Sequence, residues 1–520
     1  MKKFFAIILC AGLVVSCNDF LTVPLESSIS TSNFYSTPEE FELGLTGVYS
    51  TLRTEDWNTN ARYGSYFQGL LTLTRVGTDE MYASYDVYGG EVQLSDYTYT
   101  TASVFLSRTW YVMYQGIQRA NIIIDRIEPI SMDATTKGRI SGEAHFLRAF
   151  FYFHLVRLFG DVPLVVKETT DLDLLDAGRK PIAKVYEQIV SDLTYAKENI
   201  PDGAANGHAS KEAAQALLGK VYLQMSGYPL YDAEAASKAL VELTAVKDNP
   251  KFALEADYFA MFDGEHEYGP EYIWDIEFAN NGTTQYGGQV GTLEGVPSEA
   301  SMYWVALKAI PDLLSCYAAA DLRKGNVAQY QLVYDSNREL VKKYPETEEQ
   351  ATYYYNFALK FRHPLEEDKR KGGWANWANP INFPILRYAD VLLMYAEASA
   401  RANGSVKPEA LEAVNMVRRR GYGLDVNTPS AICDITASSK DDFLKKILLE
   451  RKLELCYEGQ RWYDLQRFDC LKEAMESCTL TLIASPAYAS NISEKHKFYP
   501  VPQDVIDASE GKIEQSELWK

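Results

Sequence analysis

Stretches in which apolar residues recur every three or four positions run through most of this chain, and they restrict it to folds built from packed helices. The rhythm covers Trp110 to Ile127, Ala144 to Leu158, Val185 to Ala196, Ala213 to Leu223 and Ala235 to Leu243. It returns in Arg387 to Arg401, Glu409 to Arg419 and Phe443 to Arg467. Each segment has one apolar stripe to bury, so each needs a neighbour, and the succession predicts helical hairpins. Leu218-Gly219 with Tyr222, Tyr231, Ala235 and Ala239 loosely follows a tetratricopeptide repeat, in which small residues let two helices approach and aromatic rings fill the gaps between repeats. Tyr395-Ala396-Glu397-Ala398 with Ala410 and Val414 follows it again. The predicted fold class is mostly all-α, a tetratricopeptide-like helical repeat scaffold with a large irregular, loop-rich ligand-binding region.

The chain divides into five stretches read as a leader and one folded unit. Residues 1–16 form the leader: Lys2 and Lys3 precede a run of mostly apolar residues from Phe4 to Val15, too short to cross a bilayer core of about 30 Å. Ser16-Cys17 then resembles a bacterial lipobox, which makes Cys17 the lipidated, palmitate-bearing first residue of the mature protein. Residues 17–100 are polar, Tyr-rich and read as loops around one helix near Pro38 to Leu52. Residues 101–258 carry helical repeats. Residues 259–383 are an irregular excursion in which Gly282, Gly287, Gly288, Gly291, Gly295, Gly372 and Gly373 alternate with Trp274, Trp304, Trp374 and Trp377. Residues 384–520 return to helical repeats and a tail.

Charge and motifs narrow the function. The formal net charge of −20 would repel phosphates and anionic lipid, which excludes nucleic-acid binding. No HExxH, GxSxG, GxxxxGK or Cys/His cluster with metal spacing occurs, so neither an enzyme class nor a metal is indicated. His145 and His154 lie nearly opposite on one apolar helix and read as packing or surface residues. Asp171-Leu172-Asp173-Leu174-Leu175-Asp176 lacks the Gly and distal Glu of a calcium loop and reads as a solvated linker. The five cysteines past Cys17 read as buried free thiols, with at most one disulfide among them.

Four segments resemble the SusD/RagB family of outer-membrane glycan-capture lipoproteins. They are Ser16 to Leu21; Glu143 to Ala149 running on to Phe159-Gly160-Asp161-Val162-Pro163; Phe383 to Ala398; and Glu450-Arg451 through Glu458-Gly459 to Arg461-Trp462, Asp464-Leu465 and Arg467. Phe498-Tyr499-Pro500-Val501-Pro502 also looks like the family's, whereas Glu514-Gln515-Ser516-Glu517 departs from its usual ending. The resemblance implies four tetratricopeptide-like repeats, an outer-membrane, lipid-anchored and cell-surface location, a TonB-dependent (SusC-like) transporter as partner, and neither catalysis nor a cofactor. Glu450, Glu454 and Glu458 fall on one helix face with Arg451, Arg461 and Arg467 nearby, and Arg148, Arg157 and Arg387 lie among apolar residues. All read as structural clamps, because a buried guanidinium needs a fixed carboxylate or carbonyl partner.

A sugar presents apolar C–H faces fringed by hydroxyls, so its site needs flat aromatic platforms with polar groups at their edges. Two stretches supply the mixture. The first is Thr78 to Gly90, with Asp79 and the trio Tyr82, Tyr85 and Tyr88; its position resembles that of one of the family's binding loops. The second is the excursion, with Trp274, Tyr286, Tyr303 and Trp304, although the alternation in Tyr272-Ile273-Trp274-Asp275-Ile276 also fits a buried strand. Trp374 and Trp377 are secondary candidates. The expected ligand is an oligosaccharide or polysaccharide; the alternatives are a peptide on the same scaffold and, less favoured, a lipid-anchored hydrolase.

Overall fold

The computed structural model describes residues 34–53, 61–84, 86–87, 89–170, 178–203, 207–264, 266–280, 285–291, 306–328, 331–334, 340–344, 357–358, 360–361, 380–478 and 491–520. Among these lie fifteen α-helices and twelve short strands. The leader and Cys17 lie outside the described residues.

In chain order the N-terminal part holds α1 (Pro38–Ser50), α2 (Gly69–Arg75), β1 (Met81–Ala83) and α3 (Glu91–Asp96). It therefore contains three helices where the sequence suggested one. The repeats follow: α4 (Val104–Arg126), α5 (Ala134–Phe159), the pair β2 (Val162–Pro163) and β3 (Arg179–Lys180), α6 (Ile182–Asn199), α7 (Lys211–Met225) and α8 (Ala235–Lys247). Asp133 and Ser210 cap α5 and α7 by accepting from the backbone N–H of Thr136 and Ala213. Successive helices pack in sequence, α4 on α5, α5 on α6, α6 on α7 and α7 on α8. At Gly219 a Cβ would lie 2.6 Å from Leu243 Cγ, so the small residue of the repeat pattern is what brings α7 and α8 together.

The excursion holds β4 (Tyr272–Ile276), β5 (Ala279–Asn280), β6 (Gln285–Tyr286), β7 (Leu307–Ala309), α9 (Pro311–Cys316), β8 (Val327–Ala328), β9 (Gln331–Tyr334), β10 (Leu340–Tyr344), β11 (Phe357–Ala358) and β12 (Phe383–Arg387). Among the described residues the strands pair two by two and antiparallel: β1 with β7, β2 with β3, β4 with β12, β5 with β6, β8 with β11 and β9 with β10, with one isolated parallel bridge between Val76 and Met81. The β4–β12 pair matches Phe383 to Ile276 and Pro384 to Asp275, which ties the excursion to the start of α10.

Helices α10 (Tyr388–Asn403), α11 (Pro408–Gly421) and α12 (Lys440–Glu454) resume the repeats, with α10 packing on α8 as well as on α11 and α12. The continuous helix expected from Phe443 to Arg467 is broken. After α12 the chain turns at Tyr457 (φ 64°) and Gly459 (φ 68°), left-handed conformations no helix accommodates, and α13 (Arg461–Arg467) begins afresh. Then come α14 (Leu471–Glu476) and α15 (Gln503–Ala508). The tail is fastened, since Gln515 exchanges hydrogen bonds with the Val501 backbone at 3.0 and 2.9 Å and Trp519 Nε1 donates to Phe498 O at 2.9 Å. All five described cysteines are free thiols, Cys433 and Cys456 buried and Cys316, Cys470 and Cys478 partly so.

Candidate functional site

The charged motifs form a buried lattice. Arg387 pairs with Glu271 (2.8 Å), Glu454 (2.6 Å) and Glu458 (2.8 Å), Arg323 with Asp321 (2.8 Å) and Glu450 (2.6 Å), and Arg451 with Asp390 (2.7 Å) and Asp464 (2.8 Å). Arg387 thus clamps Glu458 rather than the nearby Asp390, which Arg451 and Lys220 hold instead. Arg148 pairs with Asp192 at 2.6 Å, which His145 also meets. Among the described residues no carboxylate pairs with Arg157; it donates to Phe153 O at 2.9 Å and lies 3.6 and 3.5 Å from the Phe153 and Tyr463 ring centroids. Trp462 is buried and stacks on Tyr499, with centroids 4.8 Å apart.

Three of the residues expected to meet a ligand belong to this interior. Asp79 is 6% exposed and receives Arg461 at 2.7 and 2.8 Å and Lys452 at 2.9 Å. Burial alone would raise its pKa, but Arg461 and Lys452 outweigh it and hold the carboxyl well below the usual range. Its neighbour Glu80, likewise buried, is pushed up to about 8 by burial and accepts from Tyr457 N. Tyr82 is 3% exposed in the β1–β7 ladder opposite Lys308. Trp274 is 2% exposed, its ring edge-to-face with Phe146 (4.8 Å) and Phe150 (4.9 Å). None of the three offers a sugar a face, because Asp79, in the bend before β1, and Tyr82 and Trp274, on β1 and β4, are all buried. Asp79, Tyr82 and Trp274 are corrected here to structural residues.

Tyr286 lies in β6, its backbone opposite Ala279 of β5. Tyr85, Tyr88, Tyr303, Trp304, Trp374 and Trp377 lie outside the described residues. What is described is the frame between two of these stretches. Beyond the paired residues Met81↔Ala309, Tyr82↔Lys308 and Ala83↔Leu307, Ser84 donates its N–H (2.8 Å) and its hydroxyl (3.1 Å) to Ala306 O. The chain leaves Ser84 toward Tyr85 and reaches Ala306 from Trp304, so the sequence positions of both aromatic stretches abut one end of one ribbon. A second tie holds the segment after β6, as Gln289 N donates to Phe67 O at 2.9 Å.

A groove runs elsewhere, between the end of α1, the start of α7 and β4. One chamber of about 130 Å³ is lined by Tyr49, Arg53, His208, Asp275 and Glu277 among others. The adjoining chamber, of about 190 Å³, is lined by His208, Glu212, Lys251, Tyr268, Tyr272 and Asp275 among others. Gly207, His208 and Asp275 border both. Gly207 has φ 76°, and a Cβ there would meet Glu277 Cδ at 2.6 Å, so only glycine fits this wall. His208 Nδ1 lies 2.7 Å from the buried carboxylate of Glu143; that bond, more than the opposing burial, raises the His208 pKa. Tyr268, 47% exposed, donates to Glu277 Oε1 at 2.7 Å. Burial pushes Asp275 up to about 7, with the carboxylates of Glu277 and Glu267 adding to it. Sequence reasoning missed this groove because its walls come from three distant segments. The one available signal was an aspartate within the apolar alternation of Tyr272 to Ile276.

Comparisons with known proteins agree with this architecture. A family model described as "SusD family" matches residues 278–519, and one described as "Starch-binding associating with outer membrane" matches residues 28–223. SusD-like protein P38 of Formosa agariphila is 30% identical, with 91% of this chain and 94% of the relative covered. Among solved structures, a SusD homolog from Bacteroides thetaiotaomicron superposes with a TM-score of 0.79 at 25% identity, covering 93% of this chain and 97% of the other. A protein titled "Laminarin binding SusD-like protein" gives 0.72 at 23% identity, covering 93% and 100%.

Proposed function

The chain belongs to the SusD family, and from that premise we propose that it is a cell-surface lipoprotein, anchored through Cys17, that binds oligosaccharide or polysaccharide and delivers it to a partner TonB-dependent outer-membrane transporter. It captures without catalysis. Support for capture of a glycan comes from the family description "Starch-binding associating with outer membrane" and from the laminarin binding named for one solved relative. Among the described residues no helix is long and apolar enough to cross a membrane, so holding at the membrane falls to the lipid.

The observation that carries the site is the Ser84–Ala306 closure of the β1–β7 ribbon. It supports Tyr85, Tyr88, Tyr303 and Trp304 as platforms on one face, with Tyr286, Trp374 and Trp377 as further contributors. Loops on a rigid frame carry recognition, and aromatic anchors dominate its energy. The test is calorimetric titration of wild type against a panel of oligosaccharides and a peptide mixture, followed by alanine variants at Tyr85, Tyr88 and Trp304 with unchanged melting curves. Truncating a true anchor should cost about 2 kcal/mol, roughly thirtyfold in affinity. Unaltered affinity in all three would move the site, binding of peptides alone would change the ligand class, and release of new reducing ends would make the protein a hydrolase.

A further inference from the structure

We propose that the groove between α1, α7 and β4 is a second binding site, which takes a ligand bearing a primary ammonium group and seats it against Asp275 and Glu277. This goes beyond the glycan-capture reading and uses none of its platforms.

Asp275 is 5% exposed, and its Oδ2 has no hydrogen-bond partner. Among the described residues, no Lys, Arg or His pairs with Asp275, Glu277 or Glu267; the charges that act on Asp275 and Glu267 are other carboxylates. The cations around the groove are committed. Lys251 pairs with Glu212 at 2.6 Å, His208 with Glu143 at 2.7 Å, and Arg53 Nη1 donates to the main-chain oxygen of Glu277 at 3.2 Å. The groove is thus a concave, electronegative place whose buried carboxyl has the neutral Asn382 side chain beside it, but no cation among the described residues and no donor on Oδ2.

What it lacks is a compact cation with several N–H donors, which describes an ammonium group. A metal suits it poorly: among the described residues, no three His, Cys, Asp or Glu side chains stand close enough to hold one. The half-exposed Tyr268 and its neighbour Tyr272 supply ring faces for the carbon skeleton next to the charge. Chambers of about 130 and 190 Å³ fall below the roughly 300 Å³ at which drug-sized sites begin, so they suit one sugar ring or one side chain. An amino sugar and a lysine side chain both present this chemistry.

The experiment is calorimetric titration of the full chain, slightly above neutral pH, with glucosamine, N-acetylglucosamine and Nα-acetyl-lysine amide. The same titrations are run on Asp275→Asn and Glu277→Gln proteins whose melting curves match wild type. Binding of either free amine, with no binding of N-acetylglucosamine and a loss of about tenfold or more in at least one variant, supports the site. Preference for glucosamine identifies an amino sugar as the source; preference for the lysine amide identifies a peptide. Affinity should also fall as pH drops below about 7 and Asp275 takes up a proton; the titratable and charged groups around it are Glu277, Glu267, Tyr268, Tyr272, His208, Glu212, Lys251 and Arg53, and a His208 that gains charge over the same range acts in the same direction, so the fall is read against Asp275→Asn, in which only the His208 part remains. Equal binding of the acetylated sugar, no binding of either amine, or wild-type affinity in both variants would overturn the proposal. A Tyr85→Ala protein should bind the amines as wild type does, so failure of the glycan site and failure of this one read out separately.

Discussion

Glu271 and Asp275 stand four residues apart, one just before β4 and the other within it, both inside the protein, yet the fold treats them oppositely. Glu271 is fully buried and held by Arg387 at 2.8 Å and Arg420 at 2.7 Å. Among the described residues Asp275 has no cation, and burial pushes its carboxyl up to about 7. The lattice around Glu454 repeats the first solution: burial opposes its ionisation, but Arg420, Arg387 and Arg323 outweigh burial and keep it charged. A buried carboxylate is tolerable when guanidinium groups satisfy its lone pairs and costly otherwise. The difference therefore separates charges that hold the repeats together from one left open beside a groove.

The sharpest way to break the comparison is to remove a lattice member. Glu454→Ala strips Arg323, Arg387 and Arg420 of a shared partner and should lower stability by about 3 to 5 kcal/mol. Glu277→Ala, in the groove, should cost about 0.5 kcal/mol or less. Urea unfolding of both proteins checks this, and equal losses would erase the distinction between the two regions.

Next in size is a difference of sign with pH. Burial works against ionisation of Glu397, but Arg467 and Arg401 outweigh it and bring the carboxyl from 4.5 down to about 2. Its contribution, about 3 kcal/mol, is complete above the unfolded value and is lost as pH falls through about 2. Asp275 runs the other way. Its raised pKa contributes stability present below its unfolded value of 3.8 and lost as pH rises through about 7. Urea midpoints should therefore show Glu397→Gln approaching wild type only in strong acid, and Asp275→Asn gaining on wild type as pH rises from about 4 to about 7 and holding that gain above it. A flat difference across pH at either position would refute its assignment.

The repeats were legible because a packed helix advertises its period. Gly219 and the pair Glu450 and Glu454 did so down to single contacts, whereas Glu458, expected on the same helix face, lies past the end of α12 and reaches Arg387 from the turn that follows. Helix α2 was not, since all seven of its residues are buried and no polar face alternates with an apolar one. Nor was the break at Tyr457, where tertiary packing imposes a left-handed residue that local propensity disfavours. Of the site, the sequence named aromatic stretches but not which rings are covered. Tyr82 is buried by pairing with β7 and Trp274 by the α5 rings Phe146 and Phe150, and neither partner is near in sequence.

The smallest expected effect lies at His208, where the two regions meet. This residue borders both chambers of the groove, and its ring bonds to Glu143, which also accepts from Tyr49 (2.6 Å) and Arg139 (2.8 Å) in the interior. The Glu143 bond raises the His208 pKa above 6.5 despite the opposing burial and the repulsion of Arg139, with Glu42 adding slightly. A raised histidine contributes stability that is full below 6.5 and is lost as pH rises through the folded value. Because the side chain is 35% exposed, solvent screens the pair, and His208→Gln should cost less than about 1 kcal/mol below pH 6. Urea midpoints of wild type and variant should differ there and converge once pH has risen through the raised folded value, where a neutral His208 and the glutamine that replaces it carry the same charge. A gap that persists undiminished into alkaline solution would mean that His208 acts on the groove wall by shape alone, and that its charge couples the interior to nothing.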